Sequence, residues 1–235
     1  MAQSNLLIRI PSRAHVSILA LACVALFAAA AAQAQSANAQ FNDNPALRPP
    51  PDARVAIVEF DDLQCPACAH ANPLLARAAA KYKIPWIRHD FIIPYHTWSR
   101  NAAVRARWFD TRSKTLGDQY RNEVFANQAS IYNRNSLAEF TSQFAQQHGI
   151  SLPFALDPEG KLSAMVDADV ALGRAIGIHL TPSIFIVSNS AKTPYIYVQN
   201  PDQDLYRDID RAFSLSHPVE SDRETRSPRH TQRRR

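Results

Sequence analysis

Two cysteines three positions apart, Cys65 and Cys68, are the residues of this chain best suited to covalent chemistry. A thiolate at the first can attack a disulfide, and the second can close the ring or release the partner. The same spacing also supplies half of a zinc site, but a structural zinc usually takes four ligands. With no second cysteine pair, His70, His89 and His96 would have to complete such a site. An inert bracing disulfide is the third reading. The sequence on either side favours redox chemistry over both.

That context is a strand, then the motif, then a helix. Arg54 to Phe60 is a β-branched run that reads as a buried strand, and Ala69 to Tyr82, rich in alanine and leucine, reads as a helix. Leu74 and Leu75 give that helix an apolar face, and Pro73 should kink it. Cys65 is thereby placed at a helix N-terminus, where unpaired N–H groups and the helix dipole favour a thiolate. Asp61 and Asp62, between strand and motif, are expected in solvent.

The ends of the chain carry its charge. Of the formal +5, Arg9 and Arg13 supply +2, and residues 217–235 carry six arginines against Glu220, Asp222 and Glu224. The body between is formally neutral, which argues against a nucleic-acid-binding face. Residues 1–34 read as an export signal. A positive start leads into an apolar run from Val16 to Ala32, and Ala32-Gln33-Ala34 offers a cleavage site, with Ala37-Asn38-Ala39 as a second. The alternative is an uncleaved membrane anchor, although a spanning helix needs about 20 residues. Cleavage leaves Cys65 and Cys68 as the only cysteines, in a compartment that permits disulfides. A periplasmic or otherwise exported location follows. Residues 35–52, including Pro49-Pro50-Pro51, read as a linker, residues 53–215 as one domain, and the arginine-rich residues 216–235 as a disordered tail.

Within the body, Ile84 to Ile93 reads as a second strand, with Pro85 tolerated only near its start. From His96 to about Gly177 the pattern is helical. Helices are expected at Asn101–Asp110 and Gly117–Asn127, and another opens on the capping-box pattern Ser136-Leu137-Ala138-Glu139. A last one in this block has Asp157 as N-cap and Pro158 at its first position. Strands at Ser183–Val187 and Pro194–Val198 form a hairpin, and a helix from Asp202 to Leu215 closes the domain. The plan is α/β with a helical insertion.

Val58-Glu59-Phe60-Asp61-Asp62-Leu63-Gln64-Cys65-Pro66-Ala67-Cys68 resembles the active-site segment of the DsbA-like thiol:disulfide oxidoreductases, thioredoxin-fold proteins with an inserted helical domain at about 96–177 here. Arg88 to His96 is similar to that family's second strand and turn, and Ile178-His179-Leu180-Thr181-Pro182-Ser183 to its cis-proline segment. The resemblance implies Cys65 as nucleophile, Cys68 as resolving thiol and Glu59 as the acid that moves the buried cysteine's proton. It implies a cis bond at Thr181–Pro182 and substrate contact at Pro66, Ala67, Thr181 and Pro182. His96 and His179 are weaker candidates for the site. Two departures stand out: Ala67 replaces a histidine of strongly oxidising relatives, and Leu180 a smaller residue, which should narrow the groove.

The expected activity is oxidation of cysteine pairs in other exported proteins, with reduction or isomerisation as the alternative direction. No cofactor is implied, because the dithiol carries the electrons. Partners would be cysteine-containing substrates and a redox protein that resets the disulfide, with no nucleic acid, and the chain would act as a monomer. Two rivals belong to other classes: a peptide-binding module braced by its disulfide, and a metallochaperone using Cys65, Cys68 and His70.

Overall fold

The computed structural model describes residues 44–219. The expected export signal, the first part of the linker and the arginine-rich tail from residue 220 lie outside the described residues. Within the remainder of the linker, Pro45–Leu47 forms a 3-10 turn that buries Leu47. Among the described residues no helix is long and apolar enough to cross a membrane.

Strand β1 (Val55–Asp61) is buried along its whole length. It leads through the cysteine motif into α1 (Pro66–Tyr82) and then β2 (Trp86–Asp90), which lies parallel to β1. On the other side of β1 runs β3 (Ser183–Ser188), antiparallel, followed by β4 (Tyr195–Tyr197), also antiparallel. The sheet order is β2-β1-β3-β4. Between β2 and β3 stand α2 (Ser99–Asp110), α3 (Lys114–Ala126), α4 (Arg134–Gln147) and α5 (Lys161–Ala175), and α6 (Pro201–Leu215) closes the domain. This is the expected thioredoxin fold with a helical insertion.

Strand alternation sorts the sheet's two faces. Val55 and Ile57 of β1, with Ile184 and Ile186 of β3, pack against Leu75 of α1 and against Leu205 and Ile209 of α6. Phe60 points the other way, stacked on His89, and approaches α5 at Gly173. The second core belongs to the insert: Phe109, Tyr120 and Phe144 form an aromatic cluster whose buried hydroxyl is satisfied by Thr141 at 2.8 Å. Cys65 and Cys68 pack into this second core, so the motif sits at the seam between sheet and insert.

Charge fastens the insert to the edge strand. Asp169 of α5 accepts from the Asp90 backbone N–H at 3.1 Å, contacts His89 Nδ1 at 2.9 Å and takes a short hydrogen bond from Arg107. Arg107 also binds Asp90 at 2.6 Å.

Several boundaries differ from expectation, each for a local reason. Strand β2 is shorter than Ile84–Ile93. Pro85 cannot donate, although its carbonyl takes the Ile57 N–H at 2.9 Å, and beyond Asp90 the Ile93 N–H turns to the Asp62 carboxylate at 2.8 Å. Helix α1 begins at Pro66 and runs through Pro73. The capping box on α4 is real but three residues upstream of the expected one. Asn133 accepts from Ser136 N–H, and Ser136 Oγ accepts from Asn133 N–H, so Ser136 is the third helical residue rather than the cap. Asp157 does hold the orphan N–H groups of Leu162 and Ser163, at 3.0 and 2.8 Å. It does so across a Pro158–Gly160 turn, and α5 starts at Lys161 after Gly160, whose φ of +69° suits glycine.

Candidate active site

The motif is shaped by its first two residues. Cys65 is the N-cap of α1, in extended backbone conformation, and Pro66 at the first helical position has no N–H to leave unpaired. Cys65 N–H donates to Asp62 C=O at 2.9 Å, and Cys65 C=O accepts from Ala69 N–H at 3.1 Å. Pro66 and Ala67 are exposed, Cys65 is 7% exposed and Cys68 is fully buried. Both sulfurs are free thiols.

The two thiols are driven apart in acidity. Cys65 is lowered to about 6, first by the hydrogen bond it receives from the Cys68 thiol, then by Thr181 and by the backbone N–H groups of Cys68 and Ala67, against the cost of desolvation. Cys68 is raised by its burial, by donating to Cys65 and by the nearby carboxyls of Glu59 and Asp61. Near neutral pH, therefore, Cys65 carries the negative charge and Cys68 keeps its proton. The Cys68 thiol, Thr181 and the N–H groups of the first helical turn supply this without a histidine at position 67.

Glu59 lies under the motif, fully buried. Oε2 accepts from Trp86 Nε1 at 3.0 Å, and Oε1 has no hydrogen-bond partner. Burial, with the adjacent Asp61 charge, raises its carboxyl to about 8. A group so poised can hold or accept a proton near neutral pH, which suits it to serve Cys68.

Thr181–Pro182 is cis, and the Thr181 carbonyl oxygen lies 3.3 Å from Cys65 Sγ, within reach of the protonated thiol. The structure thus brings Cys65, Cys68, Glu59, Thr181 and Pro182 together, with Pro66 and Ala67 at the surface beside them. Leu180 is exposed next to Thr181.

The other candidates separate. His179 is exposed, and His70 is engaged by Asp202 of α6 at 3.0 Å. His89 is turned to Asp169, on the far side of the sheet from α1. His96 lies within 2.9 Å of Asp62. Among the described residues, no group of three or more His, Cys, Asp or Glu side chains is placed to hold a metal.

Asp61 and Asp62 are not in solvent, contrary to expectation; each is only 1% exposed. Asp61 accepts twice from Arg88, at 2.8 and 3.1 Å, and burial raises its carboxyl despite that partner. Asp62 receives the N–H groups of Gln64 and Ile93 and so ties the motif to the end of β2. Four contributors escaped the sequence reading: Trp86, Arg88, Gln64 and Gln128. The signal for the first two was a charged triplet, Arg88-His89-Asp90, inside an otherwise apolar strand. The parallel register then sets Arg88 level with Glu59 and Trp86 two residues before it. A groove of about 530 Å³ opens beside Pro66, lined by Trp98, Phe125, Ile131 and Tyr132 with both glutamines.

The family model described as thioredoxin matches residues 46–196. The chain belongs to the thioredoxin family. Solved structures of the DsbA group share its fold at low identity. The thiol-disulfide exchange protein α-DsbA2 of Wolbachia pipientis is 16% identical with a TM-score of 0.61, covering 77% of this chain and 97% of that one. A linker-deleted ScsC variant of Proteus mirabilis is 17% identical with a TM-score of 0.61, covering 88% and 98%. Oxidised BdbD of Bacillus subtilis is 18% identical with a TM-score of 0.56, covering 71% and 89%. No curated protein matches the chain. Within this thioredoxin family member, the helical insert occupies residues 99–175, between β2 and β3.

Proposed function

We propose that this chain is an exported thiol:disulfide oxidoreductase that oxidises cysteine pairs of other exported proteins. The observation that carries the reading is the division of labour in the motif: a Cys65 thiol held near pKa 6 at the helix start, above a buried, proton-bearing Cys68 and a buried Glu59. In the oxidised protein, a substrate thiolate attacks Cys65 Sγ. The Cys65–Cys68 bond breaks, a mixed disulfide forms, and the departing Cys68 sulfur takes up a proton, with Glu59 as the acid at hand. The substrate's second thiolate then attacks its own disulfide-bound sulfur and releases Cys65 as a stabilised thiolate. Two electrons pass from the substrate thiols to the cysteine pair. A low leaving-group pKa speeds that last step and makes the Cys65–Cys68 disulfide oxidising.

The backbone of Thr181 beside Cys65 would align the substrate strand. A separate redox protein must then remove the two electrons, and no cofactor is required. The export pattern at residues 1–34 supports an oxidising compartment such as the periplasm, and a monomer suffices because one chain carries every residue of the mechanism.

The test is the equilibrium of Cys65–Cys68 with glutathione, together with turnover of a reduced cysteine-containing protein. A potential near about −120 mV supports an oxidant, and one near about −270 mV would assign the reverse, reducing direction. Cys65→Ser must abolish turnover. Peptide binding that survives Cys65→Ser, in a protein without such turnover, would instead identify a peptide-binding module.

A further inference from the structure

The active-site turn and the helical insert exchange side chains through two glutamines. Gln64, the residue before Cys65, sends Oε1 to the N–H groups of Trp98 and Ser99 at 2.8 and 3.2 Å. These are orphan donors at the start of α2, where no side chain of the insert itself caps the helix. Gln128 stands in a 3-10 turn (Gln128–Ser130) directly after α3. Its Nε2 returns to the carbonyls of Leu63 and Cys65 at 2.8 and 3.1 Å, the two that flank Gln64. Each side of the seam thus supplies one amide to the other's backbone.

We propose that this reciprocal pair makes Gln128, and Gln64 with it, positioning residues through which the insert sets the acidity of Cys65. The inference rests on the dithiol reading above. A primary amide has two N–H donors, and Gln128 spends them on the carbonyls either side of the residue before the nucleophile. Leu63 is 2% exposed, so its carbonyl would lose a partner that water cannot readily replace. The Cys65 carbonyl would retain only Ala69 N–H. Both oxygens present their negative ends near the motif, and the amide offsets them. The same two bonds fix the turn that aims the Ala67 and Cys68 N–H groups at Cys65 Sγ. Without them those donors wander, and the thiolate loses stabilisation while Cys65 itself is untouched.

The experiment is the pH profile of Cys65 alkylation by iodoacetamide in the reduced protein, for wild type, Gln128→Leu, Gln64→Leu and the double variant. Leucine keeps the bulk and removes the amide. The wild-type midpoint should lie at about 6, and each single variant should move it up by about one pH unit. That slows alkylation at pH 6 about fivefold and leaves the rate at pH 9 nearly unchanged. Because both glutamines belong to one connection, the double variant should shift little beyond the larger single. The disulfide should become less oxidising in parallel. A lowered thermal midpoint with an unmoved alkylation profile would overturn the inference and leave the dithiol reading intact. A wild-type midpoint near the ordinary thiol value would overturn the dithiol reading itself. If Gln128→Leu does not fold, Gln128→Asn retains the amide but is too short to reach both carbonyls, and the same profile decides.

Discussion

Glu59→Gln should reverse sign in its effect on stability as pH rises. In the folded dithiol protein the Glu59 carboxyl is raised from 4.5 to about 8, first by burial and then by Asp61. Between those values the folded state binds a proton that the unfolded chain has released, so stability from this group is fully present below 4.5 and drains away as pH climbs to about 8. At 1.36 kcal/mol per pH unit the whole interval is worth about 5 kcal/mol, and about 3 kcal/mol has gone by pH 7. Glutamine cannot titrate, and its carbonyl can keep the bond from Trp86 Nε1. Its amide nitrogen, however, replaces an oxygen that has no partner, at a pH-independent cost of about 1–3 kcal/mol. The variant should therefore be less stable than wild type at pH 4.5 and more stable at pH 8.5. Cys65, lowered to about 6, gives stability that is complete above 9 and is lost as pH falls through 6, but both proteins carry it and it cancels. Urea unfolding of the reduced proteins reads the effect. With a slope of about 2 kcal/mol/M, the difference in midpoint should swing by about 2 M across that range. A difference that stays constant from pH 4.5 to 8.5 would refute the assignment of a raised carboxyl at Glu59.

Two further substitutions test the elements around the site. Arg88→Met leaves the fully buried Asp61 without its guanidinium and should cost about 3–5 kcal/mol in urea unfolding at pH 7. Adding Asp61→Asn should recover most of that loss. Gly173→Ala should destabilise by about 1–3 kcal/mol, despite alanine's better helix propensity, because the added methyl would lie 2.5 Å from Phe91 Cδ2 and 3.2 Å from Phe60 Cδ1. A rise in its thermal midpoint would show that the α5 contact has room.

The parts of this molecule written in local sequence were legible, and the parts written across the sheet were not. The β-branched run before Cys65 and the alanine-rich run after it gave strand and helix because each pattern is self-contained. Glu59 and the Thr181–Pro182 bond were placed only through resemblance, since neither advertises itself by composition. Asp61 and Asp62 misled because two adjacent carboxylates after a strand normally face water. Here Arg88 lies on the neighbouring strand, and the chain returns at Ile93 and His96 to meet Asp62. Cap positions slipped for a similar reason. Asn133 and Ser136 are both good capping residues, and only the geometry of the preceding turn chooses between them. Gln64 and Gln128 are 64 positions apart, and nothing in either neighbourhood signals the other.

The carboxylate of Asp169 also closes a boundary of the sheet. An outer strand with free N–H groups is a template onto which another extended chain can add. At β2 the outward N–H of Asp90 is already occupied, and the acceptor is held there by Arg107 and His89. A newcomer pairing at that position would have to expel a pinned anion. The opposite border, β4, offers only three residues. At one border, then, an added strand meets an occupied donor, and at the other only a short run of backbone.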